Sequence, residues 1–116
     1  MDHQPLVCNA KNCRVELRDK AIVTVYTSLT LDSHTVCFQC ARNSGINGPG
    51  PYTCPVCRQP LTSGGVLEQK LQPSEEWKNM ILCGLSPIDI MECAGRALSF
   101  WSYQMNNQVL VSSTHP

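Results

Sequence analysis

Residues 34–40 read His-Thr-Val-Cys-Phe-Gln-Cys, and residues 54–57 read Cys-Pro-Val-Cys. Each segment holds two cysteines three positions apart, the spacing at which one tight turn directs two thiolates to a single metal ion. His34, three residues before Cys37, adds an imidazole, which is the other common zinc ligand. The two segments therefore predict a metal-binding fold, and the rest of the chain decides how many ions it holds.

A third cysteine pair, Cys8 and Cys13, lies upstream with four residues between its members. The first residues lack the basic start and the apolar stretch of a signal peptide, so we expect a soluble chain in the reducing interior of the cell. Clustered cysteines there hold metal more often than they form disulfides. Cys83 and Cys93 stand apart among apolar neighbours, and we expect them to be buried as small hydrophobic residues.

The composition bounds the fold and excludes several classes of protein. The chain has 116 residues, of which 42% are hydrophobic and 16% charged, with nine basic residues against nine acidic ones. This size predicts one small domain with or without an appendage. The hydrophobic fraction argues against a disordered chain, and the formal neutrality argues against direct nucleic-acid binding. No apolar run approaches the ~20 residues that would cross a bilayer, so no membrane contact is expected.

Residues 1–65 are rich in Cys, Gly and Pro and show no sustained helical period, apart from a β-branched run at 21–26 that predicts a short strand. About fifty residues bury too little apolar surface to outweigh chain entropy. Structural zinc in small domains contributes on the order of 10–16 kcal/mol per ion. This half is therefore predicted to be a zinc-stabilised domain.

Residues 66–108 predict two helices. Ser74 is a good N-cap, Gly84 can end the first helix, and Ser86-Pro87 can begin the second. Apolar or small residues then recur at alternating steps of three and four: Ile88, Met91, Gly95, Leu98, Ser102 and Met105. This stripe predicts either the start of a coiled coil or a helical hairpin packed on the first half. The period is lost from Val109, so residues 109–116 are predicted to be a flexible tail.

The cysteine spacing leaves two arrangements open. A single zinc ribbon would use only Cys37, Cys40, Cys54 and Cys57, and would leave Cys8, Cys13 and His34 without a role. The full order of candidate ligands instead resembles the RING finger, with Asp32 between the first cysteine pair and His34. That resemblance implies a small α+β cross-brace with two zincs. One set of ligands would be Cys8, Cys13, Cys37 and Cys40, and the other Asp32, His34, Cys54 and Cys57.

Two positions depart from the RING pattern. The first pair is separated by four residues instead of two, and Asp32 stands where most RING fingers have cysteine. Carboxylate oxygen is an accepted zinc ligand, although softer thiolates bind zinc more readily. The alternative is that Asp32 is an ordinary acidic loop residue.

The RING resemblance also implies a partner, the E2 conjugating enzyme, which such domains hold on their two zinc loops. The matching positions here are Ala10 in the first loop and Pro55 and Val56 in the second. Arg58, directly after the last ligand, matches the linchpin that in many RING fingers hydrogen-bonds E2 and modifier. The alternative is an ordinary surface arginine.

The second half is similar to one family of meiotic crossover RING proteins, the cyclin-B-interacting type, also called human enhancer of invasion ten. The matching motifs are Pro73-Ser74-Glu75-Glu76-Trp77-Lys78, Gly84-Leu85-x-Pro87, and Arg96-Ala97-Leu98-x-Phe100-Trp101-x-Tyr103-Gln104, with Asn12-Cys13-Arg14 upstream. Because members of this family continue into a long coiled coil, the chain resembles a version truncated before it.

The family implies an E3 ligase for ubiquitin or SUMO, acting on meiotic chromosomes in the nucleus during crossover formation. The implied partners are an E2 enzyme and recombination or synaptonemal-complex proteins, with self-association through the C-terminal helix. The alternative is a non-catalytic zinc-stabilised module that scaffolds recombination proteins through its helical half.

Overall fold

A computed structural model describes residues 5–25, 33–46, 50–61 and 65–114, with side chains through residue 108. The chain divides into two compact units, Met1–Leu71 and Gln72–Pro116. Among the described helices none is long and apolar enough to cross a membrane. The first unit is a small α+β domain, and the second is helical.

Two short hairpins of the first unit each end in a turn that carries a cysteine pair. β1 (Leu6–Val7) pairs with β2 (Glu16–Leu17), and β5 (Tyr52–Thr53) pairs with β6 (Pro60–Leu61), both antiparallel. We call residues 6–17 the first knuckle and residues 52–61 the second knuckle.

A three-stranded antiparallel sheet has the order β4-β3-β7; its first two strands lie between the knuckles in sequence, and β7 follows the second knuckle. β3 (Lys20–Thr24) is the central strand, and β4 (His34–Val36) and β7 (Val66–Lys70) flank it. The strand predicted from the β-branched run is thus present at its centre. The single helix described in this unit, α1 (Phe38–Asn43), begins directly after Cys37.

β7 shifts the domain boundary relative to the one we predicted after residue 65. Its five residues were assigned from the sequence to the helical segment, but all five pair with β3, from Lys20↔Lys70 to Thr24↔Val66. The strand is half-exposed and polar, so its local pattern does not distinguish it from a linker. Pairing with a strand far away in sequence places it in the first unit.

The core of the first unit is small, and among the residues that the structure describes no aromatic side chain is buried in it. The buried apolar residues are Leu6, Cys8, Leu17, Ala21, Ile22, Val23, Val36, Ala41, Cys54 and Leu61. Lys20 adds a cation–π contact by placing its Nζ 4.5 Å from the Phe38 ring centroid, which joins β3 to α1. A core of this size needs additional stabilisation in so short a domain.

The second unit contains the two predicted helices. α2 (Glu75–Met80) begins at Ser74, whose Oγ accepts from the Trp77 amide at 3.1 Å, and the following turn reaches Gly84 at φ +96°. α3 (Pro87–Thr114) begins at Ser86, whose Oγ accepts from the Asp89 amide at 3.2 Å. Backbone helix therefore continues past Val109, where the sequence had indicated loss of the helical period.

The two isolated cysteines correct one expectation. Cys83 and Cys93 are both exposed, although their apolar neighbours had predicted burial. The neighbours themselves are exposed: α2 buries none of its side chains, and Ile88 and Met91 of α3 are 70% and 75% exposed. An apolar sequence context does not bury a thiol when the context itself faces solvent.

Candidate metal centres

Four cysteine sulfurs converge at the first candidate metal centre, which we call the first cluster. The ligand atoms of Cys8, Cys13, Cys37 and Cys40 all lie within 4.8 Å of one another. Cys8 and Cys13 come from the first knuckle, while Cys37 and Cys40 flank the start of α1. The structure therefore joins the first cysteine pair to the second.

Three ligand atoms converge at the other candidate centre, the second cluster. His34 at the start of β4 meets Cys54 and Cys57 of the second knuckle. Asp32, which the sequence suggested as the fourth ligand, lies outside the described residues. The ribbon alternative would need Cys37 and Cys40 together with Cys54 and Cys57, whereas the structure assigns these two pairs to different clusters.

The separations within both clusters fit tetrahedral zinc. At Zn–S distances of ~2.3 Å, two sulfurs on one tetrahedral ion lie about 3.8 Å apart, and a sulfur and an imidazole nitrogen lie about 3.6 Å apart. The Cys13 and Cys37 sulfurs are separated by 3.8 Å. The Cys54 sulfur lies 3.6 Å from His34 Nδ1. The donor types and their spacing therefore suit zinc.

Backbone amides donate hydrogen bonds to sulfurs of the first cluster. The Cys37 amide donates to Cys8 Sγ at 3.3 Å, and the Cys40 amide donates to Cys37 Sγ at 3.4 Å, where Cys37 serves as the N-cap of α1. Donors of this kind and the positive end of a helix favour the thiolate form. At the second cluster, the buried Thr24 hydroxyl lies 3.4 Å from Cys54 Sγ.

The pKa values of the thiols show competition between burial and these donors. Burial raises the pKa of Cys8, and burial together with the neighbouring thiols raises the pKa of Cys40. Burial also opposes ionisation of Cys37, but hydrogen bonds from the Cys40 amide and adjacent thiols outweigh it and lower the pKa. A divalent ion would remove this competition, because it binds the sulfurs as thiolates.

Cys54 is buried and still has a lowered pKa. Burial acts to raise its pKa, but hydrogen bonds with the His34 and Thr24 side chains lower the pKa to about 6. At neutral pH this sulfur is therefore mostly thiolate, the form that ligates metal.

The two knuckles share one backbone design. In each, the amide of the first cysteine donates across the hairpin at 2.9 Å, from Cys8 to the Val15 carbonyl and from Cys54 to the Gln59 carbonyl. The residue after each second cysteine has a positive φ, 59° at Arg14 and 65° at Arg58. The longer spacing of the first pair therefore lengthens a turn without changing how its hairpin closes.

The predicted E2-contact positions lie on the turns of these knuckles. Ala10 is half-buried between Cys8 and Cys13, and Pro55 and Val56 are half-buried between Cys54 and Cys57. Arg58 is exposed at the end of the second turn, and its backbone amide donates to the Cys54 carbonyl at 2.9 Å. Their contact with an E2 enzyme stays a prediction.

Curated relatives match along nearly the whole chain. The E3 ubiquitin-protein ligases CCNB1IP1 of Mus musculus and Homo sapiens are each 35% identical over 106 residues, which is 90% of this chain. The Arabidopsis thaliana protein named E3 ubiquitin-protein ligase CCNB1IP1 homolog is 31% identical over 110 residues, 88% of this chain. The chain is similar to the CCNB1IP1 proteins over nearly its whole length.

The CCNB1IP1 relatives are longer than this chain, which covers 36% of the mouse protein, 35% of the human protein and 33% of the Arabidopsis protein. No protein-family model matches the chain. No solved structure matches it either.

Three polar residues near the two clusters were not found from the sequence. Asn9 of the first knuckle and Thr35 of β4 are buried and hydrogen-bond each other, and Thr24 is buried beside Cys54. Thr24 and Thr35 lie in β-strands, where threonine is common, so neither type nor spacing distinguishes them. Asn9 follows Cys8 directly, which is the one local signal that the sequence offers.

Proposed function

We propose that this chain is the zinc-binding part of a RING-type E3 ligase, which positions a charged E2 enzyme for transfer of ubiquitin or SUMO. The observation that supports it most directly is the pair of clusters built from alternating segments of the chain. In this proposal Cys8, Cys13, Cys37 and Cys40 would hold one zinc ion, and His34, Cys54 and Cys57 would hold the other together with Asp32. The names of the CCNB1IP1 relatives support the ligase activity.

In this proposal the chain acts by positioning and forms no covalent bond itself. An acceptor amine attacks the thioester carbonyl on the E2, and the E2 cysteine leaves as a thiolate. Ala10, Pro55 and Val56 would contact the E2, and Arg58 would hydrogen-bond the E2 and the modifier. The ligand cysteines of the two knuckles would hold the zinc ions, and bound zinc would fix the two turns that carry these residues.

The test is discharge of a charged E2 by the zinc-loaded chain, measured against free lysine over a panel of ubiquitin and SUMO E2 enzymes. Faster discharge with any one of them supports the ligase. No acceleration with any E2 would move the chain to the scaffold function described next.

A scaffold is the second candidate, and exposed apolar side chains of the helical unit favour it. Ile88, Met91 and Leu98 are 70%, 75% and 67% exposed along one stripe of α3. Such a stripe suits helix-to-helix association with a second copy or with recombination or synaptonemal-complex proteins. A place on meiotic chromosomes in the nucleus, in crossover formation, belongs to either proposal.

Self-association through this stripe can be tested with a single charge. Leu98→Glu should weaken association of the chain at least about tenfold, because a carboxylate would be buried between helices. Ser99→Glu is the matched control, since it adds the same charge at the next, exposed position. Sedimentation velocity over a concentration series measures both. Equal behaviour of the two variants would exclude the stripe as the contact.

Asp32 gives a further prediction about the second cluster. If its carboxylate completes that site, Asp32→Cys should slow zinc extraction by a competing chelator several-fold, because thiolate is the softer donor. Asp19→Cys is the control for adding a thiol to a loop of the same unit. Extraction at the wild-type rate in Asp32→Cys would place Asp32 outside the coordination shell.

A further inference from the structure

β4 connects the two clusters. His34, its first residue, belongs to the second cluster, and Cys37, directly after its last residue, belongs to the first. A strand rises about 3.3 Å per residue, so these two ligands lie about 10 Å apart along the chain and serve different ions. Any displacement of β4 therefore moves ligands of both clusters.

The middle residue of β4 is held by the residue that follows Cys8. Thr35 lies between Val36 and His34, which pair with Ile22 and Thr24 of β3. Alternate residues of an antiparallel strand direct their backbone groups to opposite sides, so those of Thr35 point away from β3. On that side the backbone amide of Asn9 donates to the Thr35 carbonyl at 2.7 Å. The backbone amide of Thr35 donates to the side-chain oxygen Oδ1 of Asn9 at 2.8 Å.

The same side chain also anchors the first knuckle. Asn9 Nδ2 donates to the Val7 carbonyl at 3.1 Å, and the Thr35 hydroxyl donates to that carbonyl at 3.2 Å. Thr35 is fully buried, and Asn9 is 8% exposed. Without the Asn9 carboxamide, the buried backbone amide of Thr35 would have lost this hydrogen-bond acceptor. That loss would disfavour the observed position of β4.

We propose that the Asn9 carboxamide couples the two metal sites, so that a divalent cation in the first cluster raises the affinity of the second cluster for its own cation. The first cation fixes Cys8 and hence Asn9, Asn9 fixes Thr35, and β4 then presents His34 to Cys54 and Cys57. The same factor operates in the reverse direction, because linkage between two binding events is reciprocal. This inference rests on the proposed two-metal function.

Thr24 provides a matched control for this proposal. Its buried hydroxyl lies 3.4 Å from Cys54 Sγ and 3.4 Å from the His34 carbonyl, and neither of these contacts involves the first knuckle. Thr24→Val removes the hydroxyl at nearly constant volume. This substitution should lower the affinity of the second cluster for metal. The dependence of that affinity on metal in the first cluster should stay unchanged.

The experiment is a Co²⁺ titration of the full chain followed by absorption, because thiolate-to-cobalt bands are stronger for four sulfurs than for two. The affinity of the second cluster is measured in the wild type and in Cys13→Ser/Cys40→Ser, which removes two ligands of the first cluster. The ratio of the two dissociation constants is the coupling factor, expected to be about tenfold or more. In the Asn9→Ala background the factor should fall several-fold, because the Thr35 amide loses its acceptor, whereas Thr24→Val should keep the wild-type factor.

Each outcome decides between the proposals. A wild-type factor retained in Asn9→Ala overturns the coupling role of Asn9. A wild type that binds two Co²⁺ ions with a factor of one overturns coupling but leaves the two-metal function intact, and a wild type that binds only one ion overturns the two-metal function itself.

A second measurement needs no substitution and covers the case in which Asn9→Ala does not fold. Amide hydrogen exchange at Thr35 is followed in wild type as Zn²⁺ is added in steps up to two equivalents. Because filling either site favours the position of β4 that Asn9 holds, the protected fraction at Thr35 should rise with bound metal from the first addition. Protection that begins only after the first equivalent is bound would overturn the proposal.

Discussion

Removal of metal from the full chain with a chelator should unfold the first unit. Two structural zinc ions at about 10–16 kcal/mol each exceed the ~5–15 kcal/mol net stability of a typical domain, and the described part of the core buries no aromatic side chain. Adding Zn²⁺ back at near-neutral pH should refold the unit, because the cysteines can bind the ion again as thiolates. Folding is measured by the NMR chemical-shift dispersion of the β3 and β4 amides. Metal analysis of the untreated chain should give two zinc ions per chain.

A double variant serves as the control, because it distinguishes a chain with two zinc sites from a chain with one. Cys8→Ser/Cys13→Ser should lose one zinc and destabilise the unit, because it removes half of the first cluster. One zinc in wild type, with that double variant as stable as wild type, would favour the single ribbon built from Cys37, Cys40, Cys54 and Cys57. Retained dispersion after complete metal removal would contradict metal-dependent folding altogether.

Arg58→Ala should slow discharge of a charged E2 by roughly ten- to hundredfold, with zinc content and thermal stability unchanged. A charge-assisted hydrogen bond contributes about 1.5–3 kcal/mol, and each ~1.4 kcal/mol is tenfold in rate. Arg58 is exposed and follows Cys57 at a fixed backbone angle, so its guanidinium is presented beside the second turn. Arg58→Lys should restore only part of the rate, because an ammonium lacks the planar fork.

Arg14→Ala is the matched control for that variant. Arg14 follows the second cysteine of the other knuckle with nearly the same positive φ, and alanine keeps a Cβ at both positions, so the backbone cost of the two substitutions is alike. Discharge should fall in Arg58→Ala and not in Arg14→Ala. Equal rates for wild type and Arg58→Ala, with an E2 that wild type discharges, would remove the linchpin role.

Local chemistry determined what could be predicted from the sequence. The caps at Ser74 and Ser86 and the strand around Ile22 follow from side chains that act on their own neighbourhood, and all three are present. The ligand types were evident for the same reason. Their grouping was not evident from spacing alone, which left a ribbon open, and the RING resemblance was needed to suggest the grouping that the structure has.

Features that depend on distant partners escaped prediction. β7 carries a polar pattern and becomes a strand only because β3 pairs with it. Asn9 and Thr24 are ordinary by type, and their roles come from facing Thr35 and Cys54 across the fold. Cys83 shows the opposite error, because its apolar neighbours suggested a core that the second unit does not build around it.

The order in which the clusters take their ligands determines how the domain can be divided. A break between Cys13 and His34 leaves the second cluster's described ligands on one piece but separates the first cluster, and a break between Cys40 and Cys54 does the reverse. A break between His34 and Cys37 separates both. No single cleavage therefore yields two fragments that each keep a whole set of ligands, so this part of the chain cannot be dissected into two minimal one-ion peptides.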